Sequence, residues 1–566
     1  MATSDGRCHR YRDYRGCLRI GHRSADPVST TVAVHPTVHF GRVDFVDGFS
    51  DALAQKIRVA KSHRTPNDIF RSRGVSVGQS KNLGRCLGGL LWVFHRPDSH
   101  GGSDTDCGWV FQRKPVRLRV LDLFRGAVGG LVKQRNTMVL LSVRDGDTAR
   151  SIRDIGVLMT ELLIEKLGSK GDGIASHNGQ DVFVPFSVPG ERVEGDIEDG
   201  RIAKPRILEP VALRVKAPCS HFKTCGGCAT QHIDPAFLAD WKRDLVRTAL
   251  AQHGLETELR DTITSPPQSR RRAVFTGKRT KASAFLGFHA RGTAQIIPIT
   301  HCTLLHPDIS EGFDGLKALV QIAASRKSEV RIAATASIGG LDVSVDNALP
   351  LTPQIQAHVV KITHDHGLSR VFWNGEIVLE REPAQHRFGE ALVTPPNGSF
   401  LQATKEGEIA LVDTVMSIVG QAKSVADLFS GCGTFSLPLA KIAEVAAFES
   451  DREMLAALDK GWRVATGLKK VTTAPRDLFR NPIRPDELNP FDAVVIDPPR
   501  AGAKAQTEQL AASEVKTIAF VSCNPATFAR DARVLVDGGY TLDWVQTVDQ
   551  FLWSEHCELV AQFTRN

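Results

Sequence analysis

The chain has 566 residues, 71 Lys and Arg against 63 Asp and Glu, and a formal charge of +8. That length implies several domains rather than one, and 42% hydrophobic with 24% charged residues excludes disorder throughout. Eleven cysteines are too few for a disulfide scaffold, and no run of about 18 apolar residues marks a membrane span, so no membrane partner is expected. The N-terminal residues do not form a charged stub followed by an apolar stretch, which places the expected location in the cytoplasm.

The charge is uneven along the chain. Residues 1–158 hold 21 Arg, 5 Lys, 14 Asp and no Glu, a net of +12, whereas 159–566 carries a net of −4. Without sustained helical or strand periodicity, 1–158 reads as a low-order or spurious extension, translated upstream of a start at Met159. The competing reading is a basic arm that grips nucleic-acid phosphates.

Ordinary composition begins at Met159. Residues 162–166, 179–184 and 192–196 are short strand-like runs between Gly-rich and Pro-Gly turns, which predicts a small OB-like β-barrel over 159–217. A C-x5-C-x2-C run follows, Cys219, Cys225 and Cys228, with a fourth cysteine at Cys302. Four thiolates suit tetrahedral zinc or an iron–sulfur cluster, and the single, distant fourth favours the cluster. Residues 235–253 place Phe237, Leu238, Trp241, Leu245, Val246 and Leu250 on one helical stripe. Arg270, Arg271 and Arg272 then open strand-like sequence, as a solvated rim or a phosphate contact. Alternation within 328–382 extends the expectation to a central α+β domain over 218–400.

From 424 onward the pattern becomes strand–loop–helix repeats, which predicts a Rossmann-like α/β domain over 401–566 with a mostly parallel sheet. Its ligand should lie beyond the carboxyl ends of the strands. The loop D-L-F-S-G-C-G-T-F lacks the dinucleotide fingerprint. Gly431 and Gly433 allow close backbone approach, and Glu449 at the end of the next strand can accept two ribose hydroxyls. That combination suits S-adenosylmethionine better than a nicotinamide cofactor. Asp477 follows the third strand, and Asp497-Pro498-Pro499 caps the fourth. Cys523 stands at a strand tip before a helix that starts at the following proline, where a lowered pKa and nucleophilic character are expected. Glu558 opens the last strand. On a sheet edge it would face water; in this company it is a candidate base.

These motifs resemble the RNA uridine carbon-5 methyltransferases, which make 5-methyluridine in tRNA or 23S ribosomal RNA. S-C-N-P-A-T-F-A-R-D at 522–531 and D-P-P-R-A-G at 497–502 are the most specific, and matches run from residue 167 to residue 563. The first barrel resembles the RNA-binding TRAM module, and the cysteines resemble a 4Fe–4S site. The resemblance implies Cys523 as nucleophile and Glu558 as proton acceptor. It also implies Gln402, Phe429, the glycine loop, Glu449, Asp477 and Asp497 around the cofactor. The chain departs from the family pattern at Thr434, Asp477 and Trp553-Ser554-Glu555. RNA is the implied partner, with barrel and cluster leaning toward 23S rRNA over tRNA, and a monomer is expected. Two rivals are an amino-group methyltransferase, which favours Asn-Pro-Pro-aromatic where this chain has Asp497-Pro498-Pro499-Arg500, and a non-catalytic RNA-binding iron–sulfur protein.

Overall fold

The computed structural model describes residues 159–565; the expectations placed on 1–158 lie outside the described residues. Two three-stranded antiparallel sheets open the described chain. Thr160–Leu163, Arg192–Gly195 and Arg206–Glu209 form one, and Lys166–Leu167, Gly173–His177 and Gln180–Val184 the other. Leu162, Ile164, Ala175, Val182, Val184, Val193 and Ile202 fill their core. Gly173–His177 escaped the sequence reading because Gly173, Ile174 and Ala175 are all buried, which erases a period of two. Asp172, buried at the edge of this unit, receives Arg201 from its own side and Arg291 from the central region, each at 3.0 Å.

The central region is built on a seven-stranded sheet. Its order is Ile296–Pro298, Ala284–His289, Arg272–Arg279, Glu329–Ser337, Gly340–Asp346, Arg370–Trp373 and Glu376–Glu380. All its pairs are antiparallel except Gly340–Asp346 with Arg370–Trp373. Alternation in Glu329–Ser337 puts Val330, Ile332, Ala334 and Ala336 into the core, against the apolar face of the helix Phe313–Ala323.

The third sheet has eight strands in the order Val471–Pro475, Glu444–Glu449, Ser424–Leu428, Ala493–Ile496, Thr517–Ser522, Glu558–Thr564, Thr541–Asp549 and Glu258–Thr264. The first five are mutually parallel. Glu558–Thr564 runs antiparallel to both of its neighbours. Apolar clusters cover both faces, as expected for a sheet wrapped by crossover helices. The strand order reverses between Ser424–Leu428 and Ala493–Ile496, which opens a crevice at their carboxyl ends.

One part of the expected organisation differs. Residues 235–264 do not stay with the central sheet. Glu258–Thr264 forms the edge of the eight-stranded sheet, parallel to Thr541–Asp549. The helix Pro235–Ala251 packs Val246, Ala249 and Leu250 into that sheet's core. As an edge strand with most side chains exposed, Glu-Leu-Arg-Asp-Thr-Ile-Thr carries no apolar run to announce it. The helix stripe is as expected at Leu238, Trp241, Val246 and Leu250, but it also buries Lys242. No helix of the described residues is long and apolar enough to cross a membrane.

Candidate active site

The carboxyl ends of five parallel strands gather the loops named from sequence. After Ser424–Leu428 the chain turns sharply: Phe429 adopts φ 64°, and Gly431 and Gly433 adopt φ 54° and 94°. A side chain on Gly433 would meet Leu458 at 2.8 Å, so positive φ and close packing both require glycine there. Phe429 is the exception, a bulky residue in left-handed backbone, of the kind that clusters at functional sites. Its ring lies 5.4 Å from that of Phe479, a half-exposed side chain that sequence reasoning passed over. Glu449 spans two loops. One carboxylate oxygen accepts from the Gly431 N–H at 3.2 Å, and the other from Ser450 and Asp451 N–H groups at 2.6 and 3.1 Å. Asp477 sits further out, accepting from the Phe479 and Arg480 N–H groups.

Asp497 and Cys523 follow Ala493–Ile496 and Thr517–Ser522. Their loops are pinned to each other. Asn524 caps the helix Pro525–Asp537 and donates from Nδ2 to the Arg500 carbonyl at 3.1 Å. Thr527 Oγ1 donates to the same carbonyl at 3.2 Å, Arg530 reaches the Ala501 carbonyl, and Asp531 accepts from the Ala503 N–H at 2.8 Å. Much of the two specific motifs is therefore a clamp that fixes where Asp497 and Cys523 point.

Glu558 arrives from the opposite direction. Because Glu558–Thr564 is antiparallel to Thr517–Ser522, with Ser522 opposite Leu559, its first residue falls at the end that carries Cys523. The strand is interior to the sheet, not at its edge, and Glu558 is buried at 2% exposure. Burial, then the charge of Asp497, push its carboxyl well above the ordinary range. Asp497 itself is raised to about 7 by burial and by Asp427. Asp427 is likewise held near 7 by burial, against the hydrogen bond it accepts from Ser436.

The expected low pKa of Cys523 is not found. Burial first, then Glu558 and Asp497, push the thiol up to about 12, and Arg500 offsets only part of this. A helix N-terminus contributes about half a unit charge at most, whereas two carboxyls in a low-dielectric pocket oppose thiolate formation directly. The free protein should therefore alkylate slowly at Cys523 at pH 7, with the rate rising about tenfold per pH unit to pH 9. Peptide mapping after iodoacetamide treatment checks this, and a rate flat across that range would contradict it.

Gln402 reaches the same place from the segment ahead of the helix Lys405–Val419. It is 2% exposed, its Nε2 donates to Asp497 Oδ2 at 3.4 Å, and its carbonyl accepts from Arg271 Nε at 2.9 Å. Arg271 also makes a buried ion pair with Glu408. The triple arginine is thus not a uniform rim. Arg271 is committed to the protein interior, while Arg270 and Arg272 line a cavity.

That cavity, about 750 Å³, is walled by Cys219, Cys225, Cys228 and Cys302 on one side and Arg270, Arg272, Phe551 and His556 on others. The loop carrying the first three cysteines lies tight on the strand Ala284–His289, where a side chain on Gly226 would meet the His289 carbonyl at 2.5 Å. Burial raises the thiols of Cys225 and Cys302 and pushes Cys228 to about 12, each further raised by its cysteine neighbours. Clustered thiols of this kind become stable thiolates only around a cationic centre. A single tetrahedral zinc needs its sulfurs about 3.8 Å apart. Among the described residues the only three donor atoms within 4.8 Å of one another are those of Cys219, His221 and His301. No three of the four thiols lie that close to one another.

Comparison with known proteins agrees with this geometry. A family profile described as tRNA (Uracil-5-)-methyltransferase matches residues 465–565, and one described as the TRAM domain matches 159–201. An RNA methyltransferase of Mesorhizobium japonicum is 43% identical over 398 residues, covering 70% of this chain and 96% of its own. A 23S rRNA (uracil(1939)-C(5))-methyltransferase of Chromohalobacter salexigens is 31% identical over 430 residues, covering 72% and 89%. The crystal structure of the Pyrococcus abyssi tRNA (uracil-54, C5)-methyltransferase with S-adenosyl-L-homocysteine has the same fold, with a TM-score of 0.57 and 23% identity over 71% of this chain and 99% of that one. With its barrel, its eight-stranded sheet and its clamped motif loops, the chain belongs to the RNA uracil-C5 methyltransferase family.

Proposed function

We propose that the protein transfers the methyl group of S-adenosylmethionine to carbon 5 of a uridine in RNA, with 23S rRNA as its substrate, through a covalent bond between Cys523 and carbon 6. The observation that carries this reading is the convergence of Cys523, Asp497 and Glu558 at one sheet end, beside the Phe429–Gly433 turn and Glu449. The 31%-identical 23S rRNA enzyme supports the ribosomal substrate; a tRNA uridine is the alternative.

In this reading Gly431 and Gly433 give the cofactor room. Glu449 takes its ribose hydroxyls, Asp477 and Phe429 face its adenine, and Gln402 and Asp497 sit where cofactor and base meet. When bound, S-adenosylmethionine supplies the methyl group and a positively charged sulfonium. Carbon 5 of uracil is a weak nucleophile. Cys523 gives its proton to water, its sulfur bonds carbon 6, and the ring π electrons move to an enolate whose carbon 5 takes the methyl. Glu558 then accepts the carbon-5 proton, the carbon–sulfur bond breaks, and the double bond returns. Glu558, held toward its protonated form by burial and by Asp497, and Asp497, raised by burial and by Asp427, ionise more readily beside a positive charge. The high proton affinity of Cys523 delays thiolate formation until the ring is in place. A buried site of this kind requires the target base to leave its stack.

Cys219, Cys225, Cys228 and Cys302 hold a 4Fe–4S cluster in this reading. It scaffolds the central region, because methyl transfer from a sulfonium consumes no electron. Cys225→Ser should lose bound iron and lower the melting temperature by at least about 5 °C together with activity. Iron content and thermal unfolding measured side by side check this, and an iron-free variant of unchanged stability would exclude a scaffold.

The deciding experiment is transfer of labelled methyl from S-adenosylmethionine by the full chain to unmodified rRNA and tRNA, with the product mapped. Label on carbon 5 of a 23S uridine is expected. Label in tRNA selects the alternative, and label on an exocyclic amine would overturn the assignment.

A further inference from the structure

Gln550 lies immediately after the strand Thr541–Asp549, is 1% exposed, and had no part in the sequence reading. Its backbone is held on two sides. Lys242 pairs with Asp549 at 2.5 Å, both nearly fully buried, and donates to the Phe551 carbonyl at 3.0 Å. The Asp549 carbonyl accepts from the Ser265 N–H at 2.9 Å. The side chain then threads into the site. The Ala403 N–H donates to Gln550 Oε1 at 2.6 Å, Gln550 Nε2 donates to Gln402 Oε1 at 2.5 Å, and Gln402 Nε2 donates to Asp497.

The polarity of this chain is not free. A backbone N–H can only donate, so the atom of Gln550 facing Ala403 must be its oxygen. Its amide nitrogen therefore faces Gln402, which must present oxygen to Gln550 and nitrogen to Asp497. On the other side, Val548 pairs with Glu558 in the sheet register, and the Gln550 amide two residues on acts on the Glu558 carboxyl as a hydrogen-bond donor. There the amide favours the ionised form, against burial and Asp497. Gly407 has no side chain where Gln550 passes; a Cβ there would sit 2.6 Å from the Gln550 Cβ.

We propose that Gln550 is a positioning residue that sets the orientation of Gln402 toward Asp497 and supports Glu558 as proton acceptor, so that one amide aligns the methyl-transfer side and the proton-removal side of the site. The inference rests on the proposed roles of Cys523 and Glu558. No backbone donor other than the Ala403 N–H is needed to impose it, and Gln550 itself touches no reacting atom.

The test compares wild type, Gln550→Leu and Gln550→Glu by steady-state methylation of unmodified RNA, release of the carbon-5 proton, and denaturing gels for covalent RNA–protein adduct. Gln550→Leu should lose about 10- to 100-fold in kcat, with KM for RNA and for S-adenosylmethionine within about threefold. Adduct should accumulate, and the acid limb of its pH profile should move to higher pH, because Glu558 loses a donor that favours its carboxylate. The charged groups that face Glu558 and set this limb are Asp497 and Cys523 across the site and Cys557 beside it. Gln550→Glu keeps the volume but can donate to Gln402 only when protonated, so its activity should be retained best at the acid end. If the Leu variant fails to fold, the Glu variant decides. Unchanged kcat and pH profile in either folded variant overturns the proposal, as does a loss confined to stability and KM without adduct. Failure of wild type to methylate any RNA would instead remove the functional reading beneath it.

Discussion

Cys523→Ala should reduce turnover by at least about 10⁴-fold while S-adenosylmethionine binds within about threefold of wild type. The loss is that large because nothing else in the pocket can activate carbon 5. Asp497 and Glu558 are oxygen groups held toward their neutral forms, and a second thiol, Cys557 just ahead of Glu558, is almost fully buried with its pKa pushed to about 12. The fold should survive. Cys523 is partly exposed, and the clamp between the two motif loops runs through Asn524, Thr527, Arg530 and Asp531 instead. Calorimetric cofactor binding and single-turnover methylation measure the two halves of the prediction separately. Retained methylation would exclude Cys523 as nucleophile.

Glu558→Gln should act later in the reaction. Addition and methyl transfer remain possible, but no group takes the carbon-5 proton, so about one methyl per protein molecule is transferred and a covalent RNA adduct persists through denaturation. Steady-state turnover should fall about 10²- to 10⁴-fold. Absence of adduct with wild-type turnover would remove Glu558 from this role. The same substitution carries a stability signature. The folded protein holds the Glu558 carboxyl far above its ordinary value of 4.5, so the folded state binds a proton that the unfolded state releases. Stability from that group therefore falls as pH rises through and above the unfolded value, and the neutral amide escapes this cost. Glu558→Gln should accordingly melt at or above the wild-type temperature at pH 7, with the difference vanishing below about pH 4. A sharp destabilisation at pH 7 would mean that the carboxylate is paired and charged in the fold.

The two predictions separate steps that a single activity measurement would merge. Loss at Cys523 leaves RNA unbound covalently, while loss at Glu558 leaves it trapped. The intermediate behaviour expected of Gln550→Leu lies between them. Its amide orients groups on both sides of the reaction without touching either reacting atom.

The parallel repeats, the glycine turn, Glu449, Asp497 and Cys523 were all legible in the linear chain, because each is a local signal. Apolar runs of strand length end in loops, and side chains placed just after the strands must gather at one sheet end. The four cysteines were legible for the same reason, since three stand on one short loop. Other features were not local. Glu258–Thr264 is recruited to a sheet whose other strands begin more than 150 residues later, and its sequence carries no apolar pattern because it packs at an edge. Lys242 looked like the polar side of an amphipathic helix and is instead buried against Asp549. Arg271 looked like part of a basic rim and is instead buried against Glu408.

The charge with which the chain presents itself, +8 overall, is a property of residues 1–158; the part bearing every motif is slightly acidic. Residue types and their order determined the fold class, the three-cysteine loop and the identity of the strand-end groups, because residues just after successive parallel strands must gather at one sheet end. Tertiary structure decided the chemistry of each group. It made Glu558 interior by running its strand antiparallel, and raised Cys523 to about 12 by burying it and facing it with carboxyls. It also threaded Gln550 between Gln402 and Glu558. Burial and the sum of nearby charges set a pKa, and both depend on residues far away in sequence.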